Sequence, residues 1–124
     1  MTRPGGYDPF EHADALGIRV EWGRPRTANG LWVPDANLII LKKGMRVLLE
    51  RSVLAHEIGH AALGHRDTTP RNERRADAFA ARNLITLPQL AYAADQSRDP
   101  GQWCIDLAVT PHILETYLAQ CQAA

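Results

Sequence analysis

His56-Glu57-Ile58-Gly59-His60 is the stretch whose residue types and spacing could do chemistry. Residues four apart on a helix stand on one face, so the two imidazoles can converge on a single Zn²⁺. Glu57 follows the first histidine directly, where a carboxylate can take a proton from a metal-activated water. This is the H-E-x-x-H spacing of zinc hydrolases. An amphipathic helix with two surface histidines spells the same letters without any chemistry, so residues beyond the pentapeptide must separate the two readings.

A catalytic zinc needs a third protein ligand and keeps one position open. One pattern would place glycine at 63 and histidine at 66, but the chain has Leu63 and Arg66, with Gly64 and His65 each off by one. A helix turn cannot absorb that slip without redirecting the side chain. A second pattern takes its ligand from a separate helix as E-x-x-x-D. Glu73 and Asp77 have that spacing and face the same way on a second predicted helix. Glu73 can bind the metal, and Asp77, one turn on, can accept the N–H of a ligand histidine and fix its tautomer. A cysteine site has no C-x-x-C to rest on, since Cys104 and Cys121 are seventeen apart.

The elements that must position these residues read as one α+β unit. It is mostly helical, with a small three-stranded N-terminal sheet packed on the H-E-x-x-H helix. Asp8-Pro9 opens a first helix, with Phe10, Ala13 and Leu16 expected inward, and Gly17 stops it. Strands are predicted over 18–22, 30–33 and 37–42, the last two separated by the turn signal Pro34-Asp35-Ala36. The motif helix is expected from about Met45 to Leu63. Leu54, Ile58 and Ala61 form one face, and Leu49, Val53, His56 and His60 a neighbouring one. Thr69-Pro70 caps a second long helix reaching about Ile85, and Pro88 opens another through Ala94. After a loop over 97–101, Trp103 to Val109 and a segment restarting at Thr110-Pro111 complete the chain. Gly59, Ala61, Ala62 and Gly64 on or after the motif helix, and Ala76, Ala78, Ala80 and Ala81 on the next, suit a close approach of the two, although alanine also simply favours helix.

Composition bounds the rest. The 124 residues suit one domain, 1–124, with a modest core. Fourteen acidic and fourteen basic residues balance, which argues against the chain as a whole binding polyanions. The segment Met1-Thr2-Arg3-Pro4-Gly5-Gly6 shows no apolar leader core. The longest aliphatic run, Leu38-Ile39-Ile40-Leu41, is far too short to span a bilayer. Two unpatterned cysteines suit a reducing compartment, so a cytoplasmic location is expected.

The run Leu54-Ala55-His56-Glu57-Ile58-Gly59-His60-Ala61-Ala62-Leu63-Gly64-His65, then Glu73-x-x-Ala76-Asp77-x-Phe79-Ala80-Ala81 and Leu87-Pro88, resembles the ImmA/IrrE family of metallopeptidases. The likeness covers about Asn37 to Pro88. One departure falls at Leu84-Ile85-Thr86-Leu87-Pro88, one residue longer than the family's Leu-Leu-Met-Pro, and it bears on the end of the second helix rather than on the ligands. The resemblance implies an intracellular zinc endopeptidase, holding one Zn²⁺ per chain, that cleaves a helix-turn-helix repressor of phage immunity or stress and so relieves repression. The short chain points to the phage or mobile-element type. His56, His60 and Glu73 would hold the metal, Glu57 would be the general base and Asp77 the partner of a ligand histidine. His65, Tyr92 and His112 are the candidates for an oxyanion or substrate contact. His65 could instead be a helix-end histidine satisfied by the macrodipole, Tyr92 a packing residue and His112 an exposed one. Extended peptide substrates pair with exposed strand edges, here 37–42 or 30–33.

A different class stays beside this one. The segment at about 103–120 resembles a helix-turn-helix, so the protein could be a DNA- or repressor-binding module, or an antirepressor that binds zinc without cutting. Direct nucleic-acid binding is disfavoured, because the second helix of that segment carries Glu115 and neither arginine nor lysine.

Overall fold

A computed structural model of the protein describes residues 6–26 and 28–123. Met1 to Gly5, most of the segment read above for a leader core, lie outside the described residues. Helix α1 (Pro9–Ala15) starts where Asp8 accepts the Phe10 N–H at 2.9 Å, with proline in the first turn. Strands β1 (Arg19–Gly23), β2 (Gly30–Val33) and β3 (Leu38–Lys42) form one sheet in the order β1-β3-β2. The central β3 runs parallel to β1 and antiparallel to β2. Its alternation puts Ile39 and Leu41 on the covered face, both fully buried. Between β2 and β3 a 3₁₀ turn over Pro34–Ala36 ends at Asn37 in the left-handed region, φ 49°. Asparagine tolerates that backbone, and its side chain donates to the Gly17 carbonyl at 2.6 Å.

Five helices follow: α2 (Val47–Ala62), α3 (Pro70–Leu84), α4 (Leu87–Gln96), α5 (Pro100–Leu107) and α6 (Pro111–Ala123). Thr69, Thr86 and Asp99 cap α3, α4 and α5 through their side-chain oxygens, and each helix has proline in its first turn. At Thr86 the cap is reciprocal, since Gln89 reaches back to the Thr86 N–H.

Helix α2 is the hub. Leu54 and Ile58 pack with Ala13, Ile18, Ile39 and Leu41 in one core cluster. Ala55 reaches a second cluster with Ala80, Ala81 and Leu84 of α3, and with Leu107, Ile113 and Leu114. Each fully buried leucine or isoleucine stabilises the fold by about 1.5–3 kcal/mol, so Leu54 and Ile58 hold α2 firmly to α1 and the sheet. Among the described residues, no helix is long and apolar enough to cross a membrane.

The architecture matches the α+β expectation, with three differences in detail. Ala13 is buried as expected, but Phe10 and Leu16 lie at the surface. A helix of two turns buries a narrow stripe; Leu16 is its C-cap, and Phe10 stacks on Trp22 with ring centroids 6.0 Å apart. Helix α5 begins at Pro100 rather than Trp103, because Asp99 caps it as Asp8 caps α1. Residues 37–42 cannot be a free edge, since β3 is paired on both sides; among the three strands, β2 and β1 are the edges.

Candidate active site

The site is a meeting of α2 and α3. They approach closely at Gly59, where a Cβ would stand 3.0 Å from the Ala76 carbonyl oxygen and 3.1 Å from its Cα. Ala76, Ala80 and Ala81 are fully buried along the contact. Small residues let the helix axes close up, and this brings the acidic face of α3 against the histidine face of α2.

His56 and His60 stand one turn apart with ring centroids 4.7 Å apart and planes nearly perpendicular. The Glu73 carboxylate spans them: one oxygen is 2.8 Å from Nε2 of His60, the other 3.1 Å from Nε2 of His56. One donor atom each of His56, Glu57 and His60 also lie within 4.8 Å of one another. Two imidazole nitrogens and a carboxylate converging in this way suit a divalent ion of the zinc type.

The outer nitrogens of both rings are held. Nδ1 of His56 is 2.7 Å from Asp77 Oδ1, and Nδ1 of His60 is 2.9 Å from Nδ1 of His65. The other Asp77 oxygen is 2.7 Å from Nε2 of His112, at the start of α6. Burial favours the neutral form of Asp77, but hydrogen bonds from His56 and His112 outweigh it and hold the carboxyl below its usual range. Burial likewise works against a charged His56, yet the Asp77 hydrogen bond and the surrounding carboxylates raise its pKa.

Glu57 is buried beside this cluster, and burial is the main cause that lifts its pKa to about 7, with Glu73 adding to the effect. The Trp32 backbone on β2 works the other way and lowers it. Gly30 of the same strand comes close: a Cβ there would lie 2.7 Å from Val53 Cγ1 and 3.0 Å from Glu57 Cγ. The edge strand therefore lies directly against the α2 side chains.

Two cavities flank Glu57, and both are lined by Gly30 and Glu57. The larger, about 650 Å³, also touches Leu31, Trp32, His60 and Glu73; the smaller, about 330 Å³, touches Leu49, Val53, His56 and Ile113. His65 lines the first and His112 the second. Tyr92 is 70% exposed on α4 and lines neither, so the structure does not bring it to the cluster or pack it in the core.

The sequence did not disclose the approach of β2 to Glu57 or the pairing of His60 with His65. A glycine inside a strand marks close backbone approach, and Gly30 was that signal for the β2 contact.

A histidine pair and carboxylates on a helical hairpin, open to a cleft beside a strand edge, define a protein of metallopeptidase type. Residues 13–117 match the model of the IrrE N-terminal-like domain, the M78 peptidases, and the chain belongs to that family. The resemblance read from the sequence is thereby confirmed. No curated protein matches the chain.

Proposed function

We propose that the protein is a zinc endopeptidase that cleaves a helix-turn-helix transcriptional repressor and so relieves repression. The observation that carries the catalytic half is Glu57: a buried carboxylate, its pKa pushed up to about 7 by burial, set between two cavities beside His56, His60 and Glu73. A structural zinc site has no use for such a group. The repressor as substrate follows from the likeness to ImmA/IrrE proteins.

His56, His60 and Glu73 would hold Zn²⁺, which when bound supplies Lewis acidity and lowers the pKa of water toward neutrality. Asp77 accepts the Nδ1–H of His56 and leaves its Nε2 lone pair for the ion. Glu57 takes the proton of the attacking water on a carboxylate oxygen and passes it to the leaving amine nitrogen. An extended peptide lying along β2 would cross both cavities with its scissile carbonyl near Glu57.

The deciding experiment uses wild type and Glu57→Gln with a helix-turn-helix repressor sought among the neighbouring genes. Mass spectrometry should find repressor fragments with wild type alone, while the variant keeps zinc and holds intact repressor. If both proteins relieve repression equally and neither cuts, the protein is an antirepressor and the peptidase reading fails.

A further inference from the structure

His65 is a buried histidine that the hydrolytic scheme leaves without a task. It follows His60 by five residues and so misses a helical ligand spacing. The local backbone explains where it goes instead. Helix α2 stops at Ala62, Gly64 takes φ +71°, and the His65 N–H donates back to the His60 carbonyl at 2.9 Å. This left-handed reversal is a common helix ending. It turns the His65 ring under the last turn, where its Nδ1 meets Nδ1 of His60 at 2.9 Å.

Two imidazole nitrogens at that distance share one hydrogen, so one donates and the other accepts. Nε2 of His60 is aimed at Glu73 and the centre of the cluster. Once that nitrogen gives its lone pair to an ion, the ring hydrogen sits on Nδ1. We infer that His65 is the positioning residue of His60: its Nδ1 accepts the His60 Nδ1–H and fixes the tautomer and orientation of that ring for zinc. The inference rests on the zinc reading proposed above. It also fixes His65 itself, whose own hydrogen must then be on Nε2. The two ligand histidines are thus held by unequal partners. A carboxylate such as Asp77 accepts in any arrangement, whereas an imidazole nitrogen accepts in one tautomer only.

The test is zinc affinity, measured by competition with a chromophoric chelator on metal-free full-length protein. His65→Leu fills the space without an acceptor, and His65→Asn puts an amide oxygen where Nδ1 stood. His65→Leu should bind zinc roughly 10–100-fold more weakly, and His65→Asn should stay close to wild type. Thermal unfolding of the metal-free proteins separates lost packing from the lost acceptor, and nitrogen NMR of the zinc-loaded wild type should show the His65 hydrogen on Nε2. Wild-type affinity in His65→Leu overturns the proposal, as does an equal loss in both variants or a hydrogen on Nδ1 of His65. If wild type itself takes up no zinc, the site reading falls first and this proposal with it.

Discussion

Gly59 faces the backbone of Ala76 with no room for a side chain between them, and that close approach bears on how near Glu73 can come to the two histidines of α2. A Cβ at Gly59 would press on the Ala76 carbonyl at 3.0 Å. A carbonyl in mid-helix cannot swing aside. Alanine gains about 1 kcal/mol of helix propensity over glycine, but overpacking typically costs about 1–3 kcal/mol. Gly59→Ala is therefore expected to lower stability in chemical denaturation and to weaken zinc binding as the helices part. A variant more stable than wild type would mean that propensity outweighs the contact.

Metal analysis of the purified protein should find about one Zn²⁺ per chain. His56→Ala and His60→Ala should abolish it, and Glu73→Ala should weaken it strongly. Full zinc in Glu73→Ala would move the third ligand elsewhere, to Asp77 beside His56 or to Glu57, whose carboxylate groups with both histidines.

Asp77 touches His56 with one oxygen and His112 with the other. Asp77→Ala should cost roughly 10–100-fold in zinc affinity while the ligand set stays the same. His112→Ala should cost less, because Asp77 keeps its bond to His56. A structure of the zinc form with Asp77 bound directly to the ion would reverse these roles.

Gly30→Ala separates positioning of the base from metal binding. The new methyl would meet Val53 and the Glu57 side chain, pushing β2 and the carboxylate apart. Zinc content should be unchanged, while repressor cleavage should fall by roughly 10–100-fold, as small misplacements of reacting groups do. Undiminished cleavage would show that Glu57 does not depend on the strand.

What could be read from the sequence was what spacing dictates. His56, His60, Glu73 and Asp77 share helical periodicity, so their faces followed once the two helices were placed, and proline after Thr69 marked where the second begins. What escaped reading depended on non-helical backbone or on long-range pairing. His65 reaches His60 because of the left-handed turn at Gly64. The central place of β3 is a matter of strand order, which a run such as Leu38-Ile39-Ile40-Leu41 suggests only by being apolar at every position. Leu16 had the right helical phase, but α1 ends before it can turn inward. The start of α5 was legible after all, since Asp99-Pro100 repeats the Asp8-Pro9 signal.

The proposed ligands come from a short length of chain. His56 and Glu73 are seventeen residues apart, His60 and Glu73 thirteen, and two consecutive helices joined by residues 63–69 carry them all. Closing so small a loop costs little chain entropy. The donor set therefore belongs to one helical hairpin, and no strand supplies any of it. Glu57, by contrast, also lies against the edge strand at Gly30. Ion capture thus rests on one local hairpin, while proton transfer depends also on how β2 lies against α2, so damage to the sheet should impair cutting and spare the capacity to hold an ion.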